Sequence, residues 1–226
     1  METHFAALTQ AFFGVRLLHG LQPLIRLGPG DDALINENFE LGRTLLILGL
    51  LHALAQLSRG NPLFLRQLID WGATPAHLLG TDVQQERLDL ARARTAPDVR
   101  WHCGPLTGLP AASADLVSAH TVLSSVLDPE LRQRLAADMW RVLKPGGWCL
   151  VFDFRYNNPR NPHVRKLTRA ELDAYWPGHR HQYETLLLAP PIGRPLAALP
   201  ALVTEALTAL APPLRSHFIY MAQKER

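Results

Sequence analysis

Cysteine is scarce in this 226-residue chain: there are two, Cys103 and Cys149, and no Cys-x-x-Cys pair. A disulfide-built scaffold and a cysteine-based zinc site are therefore not expected. Both cysteines lie in apolar, strand-like contexts without a base or cation at a recognisable spacing, so both are expected in the core. Long apolar runs are missing as well. The longest, LLILGLLHALAQL at 45–57, contains His52 and Gln56 and falls short of the roughly 20 residues that span a bilayer. No signal-like pattern opens the chain, so a soluble, reducing, cytoplasmic setting is expected. Charge is sparse at 19%, with a formal balance of +3 and no dense Lys/Arg tract. The nearest approach, RYNNPRNPHVRKLTR at 155–169, is broken by prolines. That disfavours nucleic acid while leaving an anionic small molecule open.

The apolar fraction, 47%, is that of an ordinary globular chain long enough for one sizeable core. Residues 1–27 carry an irregular helical stripe and GPGDD at 28–32 is a break, so 1–35 reads as a helical arm or cap and 36–226 as the main domain. A helix is expected over 36–51, then a short strand at 54–57. LFLRQLIDWG reads as a helix stopped by Gly72. From there strands and helices alternate. HLLGTD (77–82), VRWHC (99–103), ADLVSAH (114–120) and WCLVFDF (148–154) read as strands. VQQERLDLARARTA (83–96) and PELRQRLAADMWRVL (129–143) read as helices, and KPGG (144–147) as a turn. WCLVFDF is apolar on both alternations, as befits the middle of a sheet. Thr168 followed by Glu171 forms a capping-box pattern before a further helix. HQYETLLLA (181–189) and SHFIYMAQ (216–223) read as closing strands that can pair antiparallel at an edge, with a helix at 196–210 between them. The order implies a three-layer α/β sheet.

In such sheets ligands bind beyond the carboxyl ends of the strands. Asp82 ends one strand, where its carboxylate can accept two ribose hydroxyls or cap the helix that follows. His120 ends another and can accept a proton, orient a loop or contact a cofactor. The polar loop DFRYNNPRNPHVRK (153–166) is the expected substrate wall. Asp153, Arg155, Tyr156, Asn157 and Arg165 are its candidate contacts, and the two arginines suit phosphate or carboxylate.

HLLGTDVQQERLDLARAR, ADLVSAHTVLSSVLD and RVLKPGG before an apolar strand, in this order, resemble class I S-adenosylmethionine-dependent methyltransferases over roughly residues 36–223. The resemblance implies a Rossmann-like methyltransferase fold, probably of seven strands with a reversed last strand and an antiparallel final edge pair. It also implies S-adenosylmethionine as cofactor and methyl transfer to a small molecule. Asp82 would hold the ribose, Val83 and Leu106 would meet adenine, and His120 would line the cofactor or take the substrate's proton. The family's acid-and-glycine motif falls on Gln56, Ser58, Gly60 and Pro62, and Pro105 stands where an acid often receives the adenine amine. Gln56, Ser58 and Gly60 are then the remaining cofactor contacts, in a reduced form. A relative that keeps the fold and binds a ligand or partner without transfer is the alternative.

Overall fold

The computed structural model describes residues 63–70, 72–159, 161–189 and 210–225. The expected arm at 1–35, the helix at 36–51, the strand at 54–57 and most of the helix at 196–210 lie outside the described residues. So do Gln56, Ser58 and Gly60. The chain divides into two compact units, Met1–Pro105 and Leu106–Arg226.

In the first unit, helix α1 (Leu63–Asp70) ends as the sequence indicates. Gly72, at φ +96, donates to the Ile69 carbonyl at 2.9 Å and Ala73 to that of Leu68 at 2.9 Å. These bonds satisfy the last carbonyls of the helix, and the positive φ is one that glycine takes without steric cost. A short 3-10 turn, Pro75–His77, leads into β1 (Leu79–Asp82), helix α2 (Gln85–Arg92) and β2 (Arg100–Cys103). The two strands run parallel, with Leu79 opposite Arg100 and Asp82 opposite Cys103. Leu88 and Ala91 are the buried residues of α2, as their helical spacing predicts. Gly80 lies opposite Trp101, and a Cβ there would run into the Trp101 ring. The glycine of GTD is thus a packing requirement of this strand pair.

The second unit contains β3 (Ala114–His120), α3 (Pro129–Val142), β4 (Leu143–Phe154), α4 (Arg169–Tyr175), β5 (His181–Leu188) and β6 (Arg215–Gln223). The sheet order is β3-β4-β6-β5. β3 and β4 are parallel, and β6 runs antiparallel to both β4 and β5. The expected antiparallel edge pair is therefore β6 with β5, and the reversed last strand is inserted beside β4. The KPGG segment is not a separate turn. It belongs to β4 as an irregularity: Ala114 pairs with Leu143, yet Leu116 already pairs with Trp148. Gly146 and Gly147 still pair with Lys224 across the excursion, at 2.9 Å each.

Local chemistry sets the helix ends. The Asp128 carboxylate accepts from the Glu130 and Leu131 amides and Pro129 occupies the first turn of α3. The Thr168 hydroxyl accepts from the Glu171 amide at 3.2 Å, the expected cap of α4. One face of the sheet contributes Ala119, Cys149, Val151, Phe218, Tyr220 and Ala222 to a core with Ala136 and Met139 of α3 and Leu172 and Trp176 at α4. The Trp176 indole donates to the Ala136 carbonyl at 3.2 Å, joining the two helices. β4 is buried on both alternations, since Leu150 and Phe152 are as enclosed as Cys149 and Val151. Cys103, expected in the core, is instead exposed. It is the last residue of β2, and Gly104, at φ +141, turns the chain away before anything can cover it.

Replacing Gly80 by alanine should lower the unfolding free energy by about 1–3 kcal/mol, the usual range for overpacking. Urea denaturation of wild type and variant checks this.

Candidate functional site at the carboxyl ends of the strands

Asp82 stands at the end of β1, and its two oxygens have different neighbours. Oδ1 accepts the Gln84 amide at 2.9 Å. Oδ2 lies 3.8 Å from the Arg87 guanidinium, and the side chain keeps 29% of its surface exposed. The formal cap position of α2 is Gln84, which makes no side-chain cap bond. Asp82 therefore closes a tight turn before the helix while retaining acceptor capacity toward solvent. Val83 follows with 70% of its surface exposed, a large apolar side chain with no core to join. Its carbonyl receives the Cys103 thiol at 3.9 Å, and the Gly104 amide donates to the Asp82 carbonyl at 3.0 Å. These contacts fix the ends of β1 and β2 side by side.

In the second unit, Leu106 lies in a 3-10 turn and packs against the core, half-buried. Its carbonyl accepts from Arg141 at 2.7 Å and that of Leu109 accepts from the same guanidinium at 2.8 Å. The end of β3 is a constrained corner. Thr121, directly after His120, has φ +54, a region costly for a β-branched residue. Three hydrogen bonds hold it: its amide to the Phe152 carbonyl, its hydroxyl to the His120 carbonyl, and its carbonyl from the Ser125 hydroxyl, each 2.8 Å.

Asp153 is wholly buried. Its Oδ2 accepts the Ser124 amide at 3.0 Å and its Oδ1 the Phe154 amide at 2.9 Å. Burial pushes this carboxyl above the usual range, against the pull of the Ser124 and Phe154 donors and the Arg132 cation. Arg132, also wholly buried, donates to the Val126 carbonyl at 2.7 and 3.0 Å and to Glu171 at 2.7 Å. Asp153 and Arg132 together pin the segment after β3. Asp153, expected as a substrate contact, is thus engaged with the backbone.

The loop after β4 is also tied down. Arg155 donates to the carbonyls of Pro212 and Arg215 at 3.0 and 2.9 Å and lies 5.2 Å over the Tyr156 ring. The Tyr156 hydroxyl donates to the Pro213 carbonyl at 2.9 Å, and Asn157 accepts the Lys166 amide at 2.8 Å. Arg165 is exposed, with its amide on the Ser124 carbonyl at 2.9 Å. The structure therefore gathers His120, Asp153 and the loop after β4 around one corner; Arg155 and Tyr156 tie that loop to the 212–215 segment, and Asn157 braces it from within.

His217, which the linear reading passed over, joins this corner. It lies opposite Phe154 in the β4–β6 register. Its ring stacks on Phe152 at 5.1 Å and 7°, while His120, opposite Phe152 on β3, has its ring centroid 6.2 Å from the same ring. Burial holds both imidazoles down at about 4, so both are neutral at neutral pH. A ring of that basicity is a weak general base, and a better fixed hydrogen-bonding group. Alternation in SHFIYMAQ signals which residues share a face with His217, but not which strand it meets.

Residues 56–151 match the family model described as a methyltransferase domain. The match covers less than half of the chain. In fold the chain is similar to a solved S-adenosylmethionine-dependent methyltransferase from Archaeoglobus fulgidus, at TM-score 0.50 and 15% identity over 72% of this chain and 81% of that one. A possible exported protein from Bordetella parapertussis is similar at TM-score 0.50 and 18% identity, over 92% of this chain and 79% of that one. No curated protein matches the chain. Among the described residues, no helix is long and apolar enough to cross a membrane, and no group of three or more His, Cys, Asp or Glu could hold a metal ion.

Two outcomes are expected. Asp153→Ala leaves two amides without their acceptor and should cost about 2–3 kcal/mol of stability, read by thermal unfolding. The folded-state pKa of His217, about 4, lies below its ordinary 6.5. Between those values the unfolded chain binds a proton that the folded chain refuses. His217 therefore leaves stability unaffected above pH 6.5 and lowers it as the pH falls toward 4, by up to about 1.4 kcal/mol per pH unit. Urea midpoints across this range should fall less steeply for His217→Phe than for wild type.

Proposed function

We propose that this protein transfers a methyl group from S-adenosylmethionine to a small molecule. The observation that carries the reading is the family match over 56–151, which spans the strand ends expected to hold the cofactor. The residues there fit the group. Asp82 keeps a partly exposed carboxylate with spare acceptor capacity, suited to ribose hydroxyls, and Val83 offers an exposed apolar surface to adenine. Gln56, Ser58 and Gly60 would serve the methionine end, with the Gln56 carbonyl in place of a carboxylate toward the ammonium.

When bound, S-adenosylmethionine supplies an electrophilic sulfonium methyl that a nucleophile displaces in line. The protein's own part is alignment. Thr121 and Ser125 hold the His120 corner, and Asp153 holds the segment that follows it. The neutral His120 ring suits hydrogen bonding to cofactor or substrate more than strong proton abstraction. Tyr156, Asn157 and exposed Arg165 remain the loop groups for substrate recognition, while Arg155 shapes the loop.

Calorimetry with S-adenosylhomocysteine tests the reading. Wild type should bind, and Asp82→Ala should bind roughly 10- to 100-fold more weakly, the loss of charge-assisted hydrogen bonds. Absence of binding at millimolar ligand by folded wild type would instead favour a scaffold that no longer transfers methyl groups.

A further inference from the structure

His217 is held from three sides at the sheet end where ligands of open α/β folds sit. Ser216 Oγ lies 2.9 Å from its Nδ1. Phe152 stacks in parallel on one ring face, and Phe154 approaches at 4.5 Å with a tilt of 46°. The residue is 6% exposed, and its Nε2 is buried with no hydrogen-bond partner among the described residues. Buried polar atoms nearly always have a partner, because leaving one unmade forfeits its hydration without return. A ring nitrogen so tightly oriented and so left over is what a site prepared for a bound group looks like.

The surroundings select the group. By strand alternation and register, His217 shares its face with Phe152, Phe154, Ile219 and Leu186, and His120 lies opposite Phe152. The nearby guanidinium groups have other acceptors: Arg215 donates to Thr185, and Arg155 to backbone carbonyls. A carboxylate or phosphate seated against His217 would be desolvated without a counter-charge. A neutral hydroxyl meets no such penalty. It also suits either tautomer, accepting from Nε2–H when Ser216 donates to Nδ1 and donating to Nε2 when Nδ1 carries the proton. The neighbouring aromatic faces favour a ring as its carrier.

We propose that His217 Nε2 hydrogen-bonds an uncharged hydroxyl on an aromatic substrate whose ring packs beside Phe154. The proposal rests on the methyl-transfer reading for calling that molecule a substrate. The test uses the full chain with ¹⁵N-labelled histidine, titrated with phenol and with benzoate, with and without S-adenosylhomocysteine. Phenol should shift the His217 Nε2 resonance saturably, bind at least about tenfold more tightly than benzoate, and lose roughly tenfold affinity in His217→Phe. Equal or tighter benzoate binding, an unmoved Nε2 resonance, or unchanged phenol affinity in the variant would overturn it. The comparison of the two probes on wild type stands even if His217→Phe does not fold. Calorimetry with S-adenosylhomocysteine separately judges the methyl-transfer reading, so either failure is recognisable by itself.

Discussion

A carboxylate with no exposed surface organises the corner where β3 and β4 end in the second unit. Asp153 receives the amides of Ser124 and Phe154, one after β3 and one at the end of β4. It thereby ties the exits of two parallel strands together from inside the core. Arg132 supports the same segment by holding the Val126 carbonyl, and its ion pair with Glu171 carries the constraint to α4. Burying these charges is costly, and the cost is offset because each acceptor and donor finds a specific backbone or ionic partner. The strained Thr121 corner, and with it the place of His120, persists inside that frame.

Neutral histidines give this corner its chemical character. Two imidazoles flank Phe152, and burial keeps both uncharged at neutral pH. The arginine best placed in sequence to meet an anion is spent on carbonyls. A loop that reads as cationic from its composition is therefore less available to anions than its residues suggest. At the end of β1 the balance is the reverse: the Asp82 carboxylate remains partly solvated and Val83 projects outward, so a polar and an apolar contact stand side by side.

Much of the framework was legible because its determinants are local. Asp128 and Thr168 cap their helices through hydroxyl and carboxylate bonds to amides two or three residues on. Gly72 stops its helix because the left-handed conformation is cheap only for glycine. The run WCLVFDF announced a strand enclosed on both faces. Other features depend on partners distant in sequence. KPGG has every mark of a turn, yet pairing with Lys224 draws it into β4. Cys103 has a core residue's apolar setting, yet lies at a strand end where nothing covers it.

Sequence by itself determined the alternating α/β order of elements, the carboxylate at the end of β1 and the histidine at the end of β3. Periodicity, capping and strand-end position act over a few residues, so one dimension records them. Only the tertiary structure decided that Asp153 serves the backbone, that Arg155 ties its loop to the carbonyls of Pro212 and Arg215, and that His217 stands beside Phe152 and Phe154. Those roles follow from strand register and burial, which bring together residues more than 50 positions apart, and neither can be read before the sheet is assembled.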